Sequence, residues 1–246
     1  MTQIESIGGM AWVVDPGPGP GSQLAAGLAA LGRRVVLIGS TAADAAQGAT
    51  VAKADFSSKA VVADALRAIE ARSGIPELIV YTDVPPECLE PCEFSAIGTP
   101  LWTRAFQAAL RRNLFVIQAV SEVLAGRAAS LVMVGPSAAF VGAAGLVPLS
   151  ALAEGQRALI KSAARQSGAR KLRLNWLAVS SAAFASQLAK ADLPLVPELG
   201  PPPLPLGRVP DLQHDAAAVL HFLGGAGGSA LTGATLNLDG GEWMLP

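Results

Sequence analysis

The sequence is short of the side chains that carry most enzyme chemistry, with one tyrosine, two histidines and two cysteines in 246 residues. Cys88 and Cys92 stand in a C-x-x-x-C spacing with no second ligand pair, and His214 and His221 lie far from them, so no metal centre is expected. The cysteines read instead as free thiols under a loop. Charge is scarce too: 15% of residues are charged and the formal net charge is -1. Arg33-Arg34 and Arg111-Arg112 are short pairs, not a basic stripe, which excludes nucleic acid as the expected partner.

Ala128 to Ala153 has no charged residue and is long enough to span a bilayer. Pro136, Gly142, Gly145 and Pro148 interrupt it, and Leu131 to Val134 has the character of a short buried strand, so a soluble sheet core is expected and no membrane partner. Met1 to Gly9 lacks the basic and apolar regions of a secretory signal, and a reducing cytoplasm is the expected location.

What is abundant is apolar: 51% of residues are hydrophobic, enough to bury the core of one α/β domain spanning 1–246. Short apolar runs alternate with longer Ala/Leu-rich periodic segments, the pattern of a doubly wound parallel sheet. Strands are predicted at Ala11 to Val14, Val35 to Ile38, Glu77 to Tyr81, Leu131 to Val134, Arg173 to Leu177 and Thr235 to Leu238. Helices are predicted near Ser22 to Leu31, Ser57 to Arg72, Leu101 to Leu124, Ser150 to Gln166 and Asp211 to Leu223. Pro194 to Pro205, within an insertion at about 190–206, reads as a loop over the sheet's carboxyl edge, where open α/β sheets place ligands.

Leu206-Gly207-Arg208-Val209-Pro210, Asp215-Ala216-Ala217-Ala218-Val219-Leu220, Leu231-Thr232-Gly233 and Leu238-Asp239-Gly240-Gly241 follow one another in an order and spacing that resembles the tail of the short-chain dehydrogenase/reductase family. Ala54-Asp55-Phe56 is similar to that family's aspartate motif after the third strand, Asn113 to its helix asparagine, and Arg173-Leu174-Asn175 to its sixth-strand segment. The resemblance implies a Rossmann-like fold. It does not by itself imply activity, which belongs to the site.

The family's dinucleotide loop is T-G-x-x-x-G-x-G, whose glycines let backbone amides face the pyrophosphate. Here the segment is Val14-Asp15-Pro16-Gly17-Pro18-Gly19-Pro20-Gly21. Gly19 and Gly21 match the last two glycines, Asp15 replaces the first, and Pro16, Pro18 and Pro20 each remove an N–H. A carboxylate beside a pyrophosphate repels it, and fewer donors remain to offset that, so no cofactor is expected to bind this chain. Gly39 and Ser40 stand where the family selects NAD or NADP, and Tyr81-Thr82-Asp83-Val84 stands in place of its N-N-A-G. Asp55 has two readings, a remnant adenine contact or a helix-capping or turn aspartate before Ser57-Ser58.

Leu159-Ile160-Lys161-Ser162-Ala163-Ala164 is similar to the helix that follows the family's Y-x-x-x-K, and this register puts Leu149 at the tyrosine and Ala153 at the lysine. The serine spacing falls on Pro136, and only Asn113 matches, where its amide is expected to satisfy backbone groups of its own helix. None of Leu149, Ala153 and Pro136 can titrate, so the family's proton transfer has no acid or base here. Tyr81 is expected to pack. Ser137 and Ser150 flank the lost positions, but neither shows an adjacent base in the sequence. Glu154 and Lys161, at i and i+7, share a helix face and read as solvated or interface charges, and His214 and His221 as surface or interface residues.

What the family uses for assembly survives better than what it uses for chemistry. The resemblance therefore implies a non-catalytic subunit paired with an active NAD- or NADP-dependent paralogue, in a hetero-oligomer expected to be a heterotetramer. Phe106, Ala109, Leu110, Val116, Ile117 and Val120 supply apolar surface read either as interface or as core. Two alternatives stand beside it: a homomeric ligand-binding protein that uses the old cleft, and a cofactor-independent enzyme using Ser137 with Glu154 or Asp83.

Overall fold

The computed structural model describes residues 8–39, 47–186, 188 and 205–244. Among them, strands β1 (Met10–Asp15), β2 (Arg34–Gly39), β3 (Ala49–Lys53), β4 (Pro76–Thr82), β5 (Ala129–Pro136), β6 (Leu172–Val179) and β7 (Thr235–Leu238) form one parallel sheet in the order 3-2-1-4-5-6-7. The helices are α1 (Gly21–Ala30), α2 (Lys59–Ser73), α3 (Thr99–Trp102), α4 (Ala108–Val123), α5 (Val147–Ser167), α6 (Ser181–Phe184) and α7 (Ala217–Gly224).

Side chains alternate along each strand, so the sheet sorts its apolar residues into two cores. Trp12, Val14, Ile38, Tyr81, Met133 and Trp176 face one side, under α2, α4 and α5. Ala11, Val13, Leu37, Val80, Val134 and Leu177 face the other, under α1 and α7. Because both faces are covered, all six residues of β1 are buried, which is why Met10 to Val14 reads as an unbroken apolar run, with Asp15 the one buried charge at its end. Each fully buried large side chain contributes roughly 1.5–3 kcal/mol.

The predicted strands are all present. One more, β3, escaped the apolar pattern because it is short, half exposed and pairs only with β2 at the sheet edge. The helix predicted over Leu101 to Leu124 comes in pieces: α3, a wider π turn at Thr103–Gln107, then α4. Ser58 caps α2, its hydroxyl accepting the Val61 N–H, as N-caps do.

The motif residues of the C-terminal half hold the sheet edge. Asn175 spans to the loop before β7, donating to the Leu231 carbonyl at 2.9 Å and accepting the Ala234 N–H at 3.1 Å. Arg173 donates to the Gly228 and Leu223 carbonyls. Gly27 on α1 lets the Leu212–Ala216 turn before α7 approach closely, since a Cβ there would lie 2.0 Å from the Gln213 carbonyl oxygen. No helix of the described residues is long and apolar enough to cross a membrane.

Candidate functional site

The strand order reverses between β1 and β4, so the chain leaves these neighbours in opposite directions and opens a crevice at their carboxyl ends. Asp15 ends β1 there and Thr82 ends β4.

Asp15 is 8% exposed. Its Oδ2 accepts the Gly21 N–H at 2.9 Å and its Oδ1 the Gly17 N–H at 3.3 Å. The proline-glycine loop thus closes round the carboxylate: a Cβ on Gly21 would lie 2.6 Å from Asp15 atoms, and one on Gly19 would lie 2.9 Å from them. Burial pushes the Asp15 carboxyl up to about 7, the Gly21 and Gly17 amides oppose it, and the charge of Asp83 adds to the rise. Pro20 sits before α1 and its carbonyl accepts the Gln23 and Leu24 N–H groups. Pro16, Pro18 and Pro20 have no N–H to offer.

Beyond β4 lies a buried polar cluster. The Tyr81 hydroxyl donates to Asp83 Oδ2 at 2.9 Å, and Asn113 Nδ2 donates to both the Tyr81 oxygen (2.9 Å) and Asp83 Oδ2 (2.8 Å). Arg112 grips the same carboxylate with two donors, at 2.7 and 2.6 Å. Gln156 Nε2 donates to the Asp83 carbonyl at 2.9 Å. Burial, then the Asp83 charge, hold the Tyr81 hydroxyl well above its ordinary range, so it stays a neutral donor. Asn113 therefore does not serve its own helix as expected, and Tyr81 does more than pack. The sequence signal was there only as residue types, because positions 81, 83, 112, 113 and 156 come together from β4, α4 and α5.

Leu149 and Ala153 face inward from α5. Leu149 is fully buried against Cys88, Leu89, Ala105, Ala109, Leu146 and Leu152, and Ala153 belongs to the core under α2, α4 and α5. Pro136 is buried at the end of β5, beside Val179. Ser150 has a buried hydroxyl with no partner among the described residues.

Ser137 corrects the expectation that it has no neighbouring base. Its hydroxyl donates to Glu242 Oε2 at 3.0 Å and lies 3.3 Å from the Ser181 hydroxyl. The two carboxylates weighed for it are elsewhere: Glu154 pairs with Arg157 at 2.5 Å, and Asp83 is held by Arg112. Lys161 is exposed.

The remaining candidates fall outside this edge. Asp55 makes a turn, accepting the Ser57 N–H at 2.8 Å and the Ser57 hydroxyl at 3.1 Å, and Ser58 does the capping. Gly39 ends β2 and its carbonyl accepts the Ala54 N–H. Ser40 and residues 190–204 of the insertion lie outside the described residues. His214 is exposed beside Asp211, and His221 accepts from the buried Arg33 at 3.2 Å. Cys88 and Cys92 are free thiols, and burial pushes Cys88 up to about 12. Among the described residues no group of three His, Cys, Asp or Glu side chains is placed to hold a metal.

The apolar residues read as interface or core divide. Ala109, Val116, Ile117 and Val120 are buried within the chain, whereas Phe106 and Leu110 are half-buried. The outward side of α4 and α5 instead forms an open groove of about 540 Å³ that includes Leu114, Gln118, Leu159 and Ser162.

The sequence model of the family described as enoyl-(acyl carrier protein) reductase matches residues 19–242. Many solved structures share the fold. The 3-ketoacyl-(acyl-carrier-protein) reductase of Brucella melitensis, complexed with NADH, is 21% identical with a TM-score of 0.79, over 96% of this chain and 98% of that one. A dehydrogenase/reductase from Sinorhizobium meliloti is 23% identical with a TM-score of 0.79, over 96% of each chain. Sorbitol-6-phosphate 2-dehydrogenase of Erwinia amylovora is 20% identical with a TM-score of 0.75, over 95% and 100%. A comparison with curated protein sequences gives no match.

Proposed function

This chain belongs to the short-chain dehydrogenase/reductase family, and on that premise we propose that it is a non-catalytic subunit, assembled with an active NAD- or NADP-dependent paralogue into a heterotetrameric dehydrogenase of hydroxyacyl substrates. The observation that carries this reading is Asp15. Its carboxylate accepts the Gly17 and Gly21 N–H groups, so two of the amides left by the three prolines are engaged within the chain. A dinucleotide pyrophosphate would have to displace an acceptor bonded to the same donors, and would meet its charge whenever Asp15 is ionised. The residues present do not fit the cofactor that the family carries.

The proton-transfer positions agree. Leu149 and Ala153 are buried in apolar packing, and Arg112 and Asp83 lock the neighbouring space with a bidentate pair. The open groove on α4 and α5 supplies a face for a partner helix pair, with exposed Leu114 as its apolar contact. The dehydrogenase of 2-[hydroxy(phenyl)methyl]succinyl-CoA in anaerobic toluene degradation, built from one active subunit and one lacking the motifs, is the named assembly this reading fits.

The test is calorimetric titration of the isolated chain with NAD and NADP, followed by native mass spectrometry after co-expression with the short-chain dehydrogenase of a neighbouring gene. The expected result is no saturable dinucleotide binding and a mixed oligomer. Micromolar binding by the lone chain, or a homo-oligomer that ignores the paralogue, overturns the reading.

A further inference from the structure

The carboxylate of Glu242 is held as a ligand would be. Ser137 follows β5 and Ser181 follows β6, side by side at the carboxyl edge of the sheet, and the two residues are 0% and 5% exposed. Both donate to a single oxygen, Glu242 Oε2: the Ser137 hydroxyl at 3.0 Å and the Ser181 backbone N–H at 3.3 Å. The Ser181 hydroxyl accepts the Ala138 N–H at 2.8 Å and lies 3.3 Å from the Ser137 hydroxyl, which holds the two serines side by side. These contacts make a preformed set of neutral donors converging on one acceptor.

Glu242 reaches that seat from the far end of the chain, 105 residues beyond Ser137. Its segment is a separate turn. Asp239, 2% exposed, accepts the Gly241 and Trp243 N–H groups at 3.0 and 2.9 Å, and Gly240 and Gly241 take left-handed φ values of 73° and 83°. Asn237 Nδ2 donates to the Trp243 carbonyl, closing the turn on β7. Glu242 itself is half-buried and has no cationic partner among the described residues. The Trp243 indole N–H is shut away without an acceptor among them. The seat is therefore better built than its occupant is bound.

We propose that Ser137 and Ser181 form a binding site for a small organic carboxylate, and that Glu242 is its tethered occupant. Neutral donors bind a carboxylate weakly, and Glu242 holds the site because its tether gives it an effective concentration on the order of millimolar. An untethered carboxylate enters when Glu242 is withdrawn. The inference does not use the subunit reading: its test involves neither dinucleotide nor partner, so its failure would leave that reading standing.

The probe is succinate, with the uncharged succinamide as control, titrated into the full-length protein and followed by calorimetry and by chemical shifts of the Ser137 and Ser181 amides. Glu242→Ala is expected to bind succinate at least about tenfold more tightly than the wild type, with no response to succinamide. Adding Ser137→Ala should abolish the gain. Glu242→Gln, which preserves the turn, should fall between wild type and Glu242→Ala, and it decides the matter if Glu242→Ala does not fold. Equal succinate affinity in wild type and both variants, or binding that survives Ser137→Ala, overturns the proposal.

Discussion

Asp15 Oδ2 accepts the N–H of Gly21 at 2.9 Å, so the first amide of α1 is bonded to the strand that precedes it. This contact fixes the loop, and it sets a pH dependence. The folded carboxyl titrates at about 7 against an ordinary value of 3.8, because burial disfavours its charge. Between those values the native state holds a proton that the unfolded chain has lost, so the contribution is present below about pH 4 and declines as pH rises through 7. Urea unfolding between pH 5 and 8 should show stability falling with rising pH by up to a few kcal/mol, on the order expected for a shift of this size. Asp15→Asn should remove most of that slope. An unchanged slope in the variant would place the titration elsewhere.

A second prediction concerns the buried pair. Asp83 is 3% exposed and Arg112 answers it with two hydrogen bonds. Removing the cation leaves a carboxylate shut away with only Tyr81 and Asn113 to solvate it, so Arg112→Ala should cost roughly 3–5 kcal/mol. Arg208→Ala breaks an exposed two-donor pair to Asp215 and should cost less than about 1 kcal/mol. Denaturant midpoints of the two variants, measured side by side, check the contrast. Equal losses would mean that the Asp83 cluster is solvated in solution.

How much of this was legible before the structure varies with the distance over which a contact acts. β1, β2, β4, β5 and β6 announce themselves, because a strand covered on both faces must be largely apolar, whereas β7 is a half-buried edge strand marked by the β-prone Thr235, Leu236 and Leu238. The edge strand β3 carries Thr50 and Lys53 and has one neighbour, so nothing in its composition demands a strand. The loop chemistry of Asp15 was readable as repulsion of a pyrophosphate, but not as self-capping, because a hydrogen bond six residues away depends on how the prolines turn. The pairing of Ser137 with Glu242 had no sequence signal, since only the paired strands β5, β6 and β7 bring the ends of β5 and β7 to one edge. The same holds for Tyr81, Asp83 and Asn113: each side chain is ordinary alone, and the sheet and α4 make them a cluster.

Gly27 tests the packing of α1. A Cβ at this position would lie 2.0 Å from the Gln213 carbonyl oxygen and 2.6 Å from the Ala217 Cβ, and neither backbone nor a methyl group can yield without moving the helix. Gly27→Ala should destabilise by roughly 1–3 kcal/mol, despite the better helix propensity of alanine. Gly17, in the exposed loop, has open space where its Cβ would go, so Gly17→Ala should change stability by no more than about 0.5 kcal/mol. Thermal unfolding of both variants reads the difference.

Rebuilding the family's proton-transfer pair should fail twice over. Leu149→Tyr puts a larger ring and a hydroxyl into a fully packed apolar cluster, and Ala153→Lys asks the core to hold an ammonium at a site 1% exposed. Overpacking costs roughly 1–3 kcal/mol, and an unpaired buried charge costs more or forces the lysine to give up its proton. The double variant should therefore unfold at lower denaturant than the wild type. It should also leave NADH absorbance constant with any hydroxyacyl substrate, because Asp15 still occupies the amides of Gly17 and Gly21. Adding Asp15→Gly frees those amides without replacing the N–H groups that Pro16, Pro18 and Pro20 lack, so dinucleotide binding should stay weaker than micromolar. Turnover by the double variant alone would mean that the loop had never been the obstacle, and with that the case against redox chemistry in this subunit would fall.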